Sequence, residues 1–130
     1  MIRKLAALTL CMALPAAAQE SISPELPLAE DPVASGRGAI LRGLDKVNGQ
    51  TVDIELLSGG GRAVFGLEIE LADCRYPINN PTGDAFAFLT IREQLENSII
   101  FKGWMIATAP ALNALDHSRY DVWVIRCITA

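Results

Sequence analysis

Apolar and polar residues alternate in short runs from Ala39 onward, and turn-forming residues separate the runs. In residues 51–57, apolar side chains at positions 52, 54 and 56 alternate with acidic ones at positions 53 and 55. Residues 67–74 repeat the pattern, with Leu67, Ile69 and Leu71 on one side. A period of two residues is typical of antiparallel strands that are buried on one face only. The pattern therefore predicts strands rather than helices.

About seven short strands and one helical turn follow from this reading of the chain. The predicted strands cover residues 39–44, 51–57, 62–65, 67–74, 85–92, 99–107 and 120–127. Asn48-Gly49 predicts a hairpin turn, residues 58–61 and 77–84 predict loops, and Pro110 opens a helical turn over residues 110–115. We expect an all-β fold, a small antiparallel sandwich.

The C-terminal quarter, residues 98–127, differs from the rest because its strands are apolar on both faces. Ile99, Ile100 and Phe101 are consecutive in one strand, and residues 122–125 form a similar run in the other. Such runs are typical of strands with both faces covered, so we expect central positions in a sheet or in the sandwich core. Core burial is also the expectation for each tryptophan taken alone.

The first 36 residues lack the strand pattern. Arg3 and Lys4 precede an apolar run over residues 5–14 and small residues at 16–18, the pattern of a secretory signal peptide cleaved after Ala18. Cys11 lies inside the apolar run, without the small preceding residues of a lipidation signal. Residues 19–36 are rich in proline and acids and predict a disordered tether. We expect a signal peptide over 1–18, a tether over 19–36 and the β-sandwich domain over 37–130.

Charge and hydropathy narrow the classes of partner. Without Arg3 and Lys4, nine basic residues face fifteen acidic ones, a net charge of about −6. An acidic domain repels phosphate backbones, which disfavours nucleic-acid binding. Charged residues interrupt every apolar run after the signal peptide, so no transmembrane segment is expected in the mature chain. We expect the mature protein to be periplasmic.

Two cysteines remain once the signal peptide is removed, Cys74 and Cys127. An exported chain with two thiols most often pairs them in a structural disulfide. A redox-active pair is the alternative, but active dithiols usually lie close together in sequence, as in C-x-x-C. We expect a structural bridge.

Several runs resemble a known family. They are residues 41–46 (LRGLDK), 101–105 (FKGWM), 109–115 (APALNAL), 120–124 (YDVWV) and the closing Cys127. Together they are similar to the signature of an exported alphaproteobacterial family, domain of unknown function 2155, although Lys102 stands where that family typically has serine. The resemblance covers residues 39–127 and implies secretion, a small single domain and paired cysteines, with no established activity. Genes of family members can lie near genes for accessory subunits of respiratory complex I, which suggests an envelope complex at the inner membrane as partner.

His117 is the only histidine and the first candidate for chemistry. A histidine near Asp116, Tyr120 or Asp121 could act as a general base in a hydrolase-like enzyme or hold a small ligand. However, no nucleophile motif is evident, and both mature cysteines are assigned to the bridge. A capping role near the end of the helical turn is the alternative. We expect no enzymatic activity and no catalytic residue.

Acidic residues and glycines provide the other candidates. Four acidic residues lie on the polar faces of two strands that could be neighbours: Asp53 and Glu55 on one, Glu68 and Glu70 on the other. Their four carboxylates could then hold calcium. Polar strand faces also carry acids simply because they face water. The glycines of residues 58–61 lack the lysine of a phosphate-binding loop and suit a turn. We expect no metal and no cofactor.

The remaining hypothesis is an interaction surface in the C-terminal quarter. Aromatic residues and methionine are enriched where proteins bind each other. An exposed apolar patch near residues 104–110 is the preferred site. The candidate interaction residues are Lys102, Trp104, Met105, Pro110, Leu112, His117 and Tyr120. We expect an exported, non-catalytic domain that serves as a protein-interaction or accessory subunit of a cell-envelope complex.

Overall fold

Eight antiparallel strands and one 3-10 turn make up the regular structure of residues 32–129, the part of the chain that the computed structural model describes. They are β1 (Val33–Ser35), β2 (Gly38–Asp45), β3 (Thr51–Leu57), β4 (Gly61–Val64), β5 (Leu67–Pro77), β6 (Phe86–Glu93), β7 (Ile99–Ile106), the 3-10 turn Pro110–Leu112 and β8 (Tyr120–Ile128). The predicted signal peptide and residues 19–31 of the predicted tether lie outside the described residues.

The strands form two sheets whose inward faces share one apolar core. The larger sheet has the order β1-β5-β6-β7, with β4 also paired to β5, and the smaller has the order β3-β2-β8. The turn between β3 and β4 carries the chain from one sheet to the other, and Gly59 in this turn has a positive φ of 84° that favours glycine. The prediction of an all-β, antiparallel fold is confirmed.

Strand β1 corrects the predicted boundary of the tether. Val33–Ser35 was assigned to the tether, but these residues pair with Pro77, Tyr76 and Arg75 at the end of β5. Because β4 covers only residues 67–70 of β5, the second half of that edge is open to another strand. The Pro32 carbonyl also accepts a hydrogen bond from the Ile78 amide, at 2.9 Å. Proline at 32 is tolerated since it lies just before an edge strand.

The positions of β7 and β8 also correct an expectation. Their apolar faces predicted central strands, yet within the described residues each pairs with one strand only and lies at the edge of its sheet. Phe101 and Met105 of β7, and Val122 and Val124 of β8, face the core. The apolar residues between them face outward, and Trp104 and Trp123 are both only partly buried. In β7 and β8, one apolar face therefore packs in the core and the other is apolar surface that is partly exposed.

One disulfide joins the two sheets. Cys74 on β5 and Cys127 on β8 are bonded, with Cα atoms 5.7 Å apart and a sequence separation of 53. Their exposed fractions are 0% and 2%, so the bond lies within the core. Next to it the chain passes through Gly36, where a Cβ would lie 2.6 Å from the Ile128 carbonyl oxygen. The predicted pairing is confirmed, and its burial fits a structural role.

The turn between β2 and β3 is held by a buried carboxylate. The side chain of Asp45 accepts a hydrogen bond from the Val47 amide at 3.0 Å and another from Arg119 Nη2 at 3.0 Å. The predicted Asn48-Gly49 turn is present, with Gly49 at a positive φ of 75°. Asp45 is only 3% exposed, and the hydrogen bond from Arg119 holds the pKa of its carboxyl below the ordinary value.

Replacing this carboxylate should therefore change stability in a pH-dependent way. Because the pKa of Asp45 is lower in the folded than in the unfolded protein, its charge stabilises the fold above the unfolded value of 3.8. That contribution is lost as pH falls through the folded pKa. We expect Asp45→Asn to lower the urea midpoint at neutral pH, with a gap from wild type that closes in acid. A gap of constant size across this range would contradict the assignment.

Within residues 32–129 there is no helix with the length and apolar character needed to cross a bilayer.

Candidate interaction surface

A row of apolar side chains and one arginine crosses four strands on the outer face of the larger sheet. The strand register places Arg75 opposite Phe86, Phe86 opposite Ile106, and Phe88 opposite Trp104. Val33 on β1 completes the row at one side. We call the outward side chains of Val33, Arg75, Phe86, Phe88, Trp104 and Ile106 the Trp104 surface.

Contacts among these side chains fix the indole of Trp104. The guanidinium carbon of Arg75 lies 5.2 Å from the centre of the Trp104 ring, within cation–π distance. The ring of Phe88 meets the indole edge to face, with centroids 5.2 Å apart. Asp73 accepts a hydrogen bond from Arg75 Nε at 3.0 Å, which holds the guanidinium in place. The surface is therefore largely ordered before any partner arrives.

The shape and chemistry of the Trp104 surface suit a partner protein. Val33, Arg75, Phe86, Trp104 and Ile106 line a shallow depression of about 260 Å³. Val33 is 48% exposed, and the rings of Phe86, Phe88 and Trp104 are only partly covered. Tryptophan and arginine are the residues most often found where an interface gains most of its binding energy. A depression this open and shallow offers area for a partner chain rather than enclosure for a small molecule.

The structure separates the three predicted interaction residues of β7. Lys102 and Trp104 lie on the outer face of the strand, opposite Thr90 and Phe88. Met105 points the other way and is 2% exposed, so it belongs to the core rather than to a docking surface. The alternation of β7 accounts for this split, since neighbouring residues of a strand face opposite sides.

Pro110 and Leu112 lie elsewhere, on the 3-10 turn that follows β7. Leu112 is 76% exposed. Asn113 ends this turn and donates a hydrogen bond from its amide Nδ2 to the Trp104 carbonyl at 2.8 Å. Pro110 borders a second groove, with Trp123 of β8 on its other side. The two tryptophans therefore lie on the outer faces of different sheets.

His117 and Tyr120 form a third location, at the start of β8. His117 Nε2 lies 2.5 Å from a carboxylate oxygen of Glu93, whereas Nδ1 accepts hydrogen bonds from the Arg119 and Tyr120 amides, both at 3.0 Å. Since Nδ1 accepts, the proton of the neutral ring lies on Nε2 and is donated to Glu93. Asp121 instead accepts a hydrogen bond from the Val122 amide. The structure therefore pairs His117 with Glu93, and its use with Asp116 or Asp121 stays a prediction.

His117 is also one end of a stack of three rings. Tyr120 lies between Phe65 and His117, with ring centroids 5.4 Å and 5.2 Å away. Phe65 has a positive φ of 54°, an uncommon conformation for an aromatic residue, at the tip of the β4–β5 hairpin. The stack holds that hairpin against β8. These contacts indicate that His117 has a structural role.

Removal of the imidazole should therefore lower stability. In His117→Ala the amides of Arg119 and Tyr120 lose their acceptor, at a cost of about 1 kcal/mol in partly solvated surroundings. Asparagine can present its Oδ1 near the position of Nδ1, so we expect His117→Asn to lose less. Urea unfolding of both variants measures the difference. Equal losses would contradict the inferred role of Nδ1.

The four acids considered for calcium lie apart. Asp53 and Glu55 are on β3 of the smaller sheet, and Glu68 and Glu70 are on β5 of the larger sheet. The two strands, which could have been neighbours, belong to different sheets. Arg42 pairs with Asp53, at 2.7 Å, and Arg92 pairs with Glu70, at 2.8 Å. In residues 32–129 no three side chains among histidine, cysteine, aspartate and glutamate are grouped as metal ligands would be.

Most of the Trp104 surface was missed by reasoning from sequence. Of its residues, only Trp104 was predicted as an interaction residue. The sequence did not lead to the other five, Val33, Arg75, Phe86, Phe88 and Ile106. A signal existed in β6, where Phe86 and Phe88 share one face while Leu89 and Ile91 share the other. Apolar residues on both faces of two adjacent strands leave one of the faces exposed unless a further layer covers it.

The comparison with protein families agrees with the sequence motifs. Residues 39–127, which run from β2 to β8, match the family described as "Uncharacterized protein conserved in bacteria (DUF2155)". The chain belongs to this family. The DUF2155 match includes both cysteines of the bridge, Trp104 and Trp123, while β1 with Val33 lies just before it.

One curated relative of this DUF2155 chain is the uncharacterized protein RP359 of Rickettsia prowazekii (strain Madrid E). The two are 23% identical over 87 residues, which cover 65% of this chain and 56% of the relative. The chain thus spans just over half the length of the curated relative it matches. No solved structure shows significant similarity.

Proposed function

We propose that this DUF2155 domain is an exported, non-catalytic protein-interaction subunit of a cell-envelope complex, and that it docks through the Trp104 surface. The observation that carries the proposal is the row of outward aromatic and apolar side chains on β1, β6 and β7, with Arg75 of β5 among them. Residues of this kind usually face the core in a small domain, where their burial stabilises the fold. Their exposure here is explained if a partner covers them.

The rigidity of the surface supports binding of useful strength. A partner must overcome the entropy of ordering side chains, at about 0.5–1.5 kcal/mol for each mobile side chain. The contacts of Trp104 with Arg75 and Phe88 already restrict these groups. The cross-sheet bridge from Cys74 to Cys127 restrains β5, one of the strands that carry the surface. Little of the binding energy is therefore used to order this face.

The disulfide and the contacts of His117 support two further parts of the proposal, export to an oxidising compartment and a non-catalytic role. The buried Cys74–Cys127 bond is of the kind that persists in the periplasm, and the predicted signal peptide would deliver the chain there. Both ring nitrogens of His117 are engaged within the fold, which supports a structural role over a general base. The gene association implied by the family suggests a respiratory complex as partner.

Affinity isolation from gently solubilised envelopes of the producing organism tests the proposal. A tagged wild-type chain should carry a stoichiometric partner through washing, identified by mass spectrometry. The same tag on an unrelated periplasmic β domain controls for adsorption. Recovery of a lone monomer at physiological salt, with the tag shown to be accessible, would count against the proposal.

A small-ligand binding role at the start of β8 is the second candidate. The observation that favours it is a cavity of about 480 Å³ lined in part by Glu93, His117, Arg119 and Tyr120. Aromatic walls and convergent polar groups are usual in ligand pockets. A screen of small polar aromatics by NMR should then shift the Tyr120 ring signals. Unchanged signals throughout the screen would remove this candidate.

A further inference from the structure

We propose that the partner adds an extended strand to the open edge of β7, and that this strand carries an acidic residue opposite Lys102. The inference rests on the proposed function, because it states how the partner of the Trp104 surface is held. Within residues 32–129, β7 pairs with β6 on one side and with no strand on the other. An added strand there would extend the Trp104 surface beyond Trp104.

The hydrogen-bond pattern of β7 leaves the main chain of Lys102 and Trp104 facing this edge. In an antiparallel pair, every second residue exchanges both main-chain hydrogen bonds with its neighbour, and the residues between face away. The Ala107 amide donates to the Ala85 carbonyl at 2.9 Å, one residue beyond the ends of the two strands. Counting back from this bond, the odd-numbered residues of 101–105 are bonded to β6 and the even-numbered ones face the edge.

The segment after β7 closes one end of the edge and leaves the rest open. Asn113 Nδ2 donates to the Trp104 carbonyl at 2.8 Å, and the Ala109 amide donates to the Ile106 carbonyl at 3.2 Å. In residues 32–129 no turn, loop or side chain bonds to the main chain of Lys102 or to the Trp104 amide. These groups are therefore available to a strand, and main-chain hydrogen bonds are what holds an added strand to a sheet edge.

The charge of Lys102 defines one residue of the added strand. Lys102 is exposed and forms no ion pair within residues 32–129. Two arginines of the same outer face are paired, Arg75 with Asp73 and Arg92 with Glu70. Opposite charges that face each other across two strands stabilise the pair. An acidic residue opposite Lys102 would therefore complete this face.

The neighbours of Lys102 define the rest of the strand. Ile99, opposite Arg92, is 52% exposed, and Trp104 is only partly buried. Side chains two positions apart in a strand share a face. A residue two positions from the acid would therefore lie beside the indole of Trp104, where an apolar side chain would cover the ring. The expected partner segment is extended, with an acid and an apolar residue on one face.

A second copy of this chain is a poorer occupant of the edge. Two β7 strands paired symmetrically about Lys102 would bring two ammonium groups opposite each other, and like charges in that position are destabilising. Lysine is one of the residues by which natural proteins protect sheet edges from pairing with their own copies. The same charge that favours an acidic strand therefore disfavours self-association.

Amide hydrogen exchange tests the edge in the free protein and in the complex. In the free mature chain, NMR should show slow exchange for the Gly103 and Met105 amides and fast exchange for those of Lys102 and Trp104. The probe for the complex is the protein that co-isolates with the tagged chain from solubilised envelopes. In that complex, exchange of the Lys102 and Trp104 amides should slow at least tenfold.

Proline at position 102 tests the same hydrogen bonds by capture. Lys102→Pro removes an N–H that faces the edge, so it removes no bond to β6. We expect capture of the co-isolated protein to fall tenfold or more. Lys102→Ala keeps the N–H and loses only the charge, so its capture should fall by no more than about fivefold. Glu55→Pro is the matched control, because by the same pattern its N–H faces the open edge of β3. It should capture as wild type does.

Three results would overturn strand addition. One is wild-type capture by Lys102→Pro with an unchanged melting temperature, which would leave the Trp104 surface standing as a docking face through its side chains. Another is slow exchange of the Lys102 and Trp104 amides in the free chain, including slow exchange that is lost on dilution and so identifies a second copy. The third is unchanged exchange of these amides in the complex, which decides the matter if Lys102→Pro does not fold. A wild-type chain that captures no protein would overturn the proposed function and strand addition together.

Discussion

Removal of both bridging cysteines, in Cys74→Ala with Cys127→Ala, is expected to lower the free energy of unfolding by about 2–5 kcal/mol. The bridge joins β5 of the larger sheet to β8 of the smaller across a sequence separation of 53. Chain-entropy reasoning for a loop of this length gives about 4 kcal/mol. A domain of this size has a total stability of only about 5–15 kcal/mol, so the loss should be visible in folding and in abundance.

Urea unfolding of the oxidised wild type and the double variant measures this effect. Alanine is preferred to serine because both positions are buried, at 0% and 2% exposure, and a hydroxyl there would need a partner. A strong reductant provides the control, since it should move the wild-type midpoint to that of the variant and leave the variant unchanged. A wild-type midpoint that does not move in reductant, with free thiols detected, would contradict the structural role.

Truncation of Trp104 is expected to weaken partner binding by about 2 kcal/mol or more, or about thirtyfold in Kd. In Trp104→Ser the surface loses its central ring, and Arg75 and Phe88 lose the contacts that order them. The partner recovered from envelopes provides the ligand, and calorimetry or surface plasmon resonance gives the Kd.

Trp123→Ser is the matched control for this substitution. Trp123 is also partly buried, but it lies on the outer face of the smaller sheet, opposite Arg42 of β2. We expect this variant to bind the partner as wild type does. The melting temperatures of both variants check that neither effect is a loss of folding. Equal binding by Trp104→Ser and wild type would exclude the Trp104 surface as the docking face.

Much of the fold could be predicted from the sequence because its signals are local. The alternation in residues 51–57 and the Asn48-Gly49 turn each depend on a few neighbouring residues, and both appear in the structure. The 3-10 turn begins at Pro110 as expected. Strand β1 was missed because its three residues pair only with the distant end of β5. Nothing in Val33–Ser35 alone signals that an open edge exists there.

The candidate site was less predictable because it depends on how strands are ordered. The sequence shows that β7 is apolar on both faces, but not that it lies at a sheet edge beside β6. Only that order brings Phe88 and Trp104 together and places Arg75 next to the indole. Contacts between side chains far apart in sequence were equally hard to predict. His117 was linked to carboxylates near it in sequence, whereas its partner, Glu93, is 24 residues away.

Site-specific photo-crosslinking in living cells is the most direct test of the Trp104 surface as a docking face. Benzoylphenylalanine in place of Phe88 puts the reactive group beside Trp104, and the same group in place of Leu57 provides a control at a 62% exposed position of β3. We predict that the Phe88 position gives one discrete adduct with a single envelope protein and that the Leu57 position gives none. The same adducts at both positions, or no adduct from Phe88 while the protein is present at normal abundance, would contradict the account.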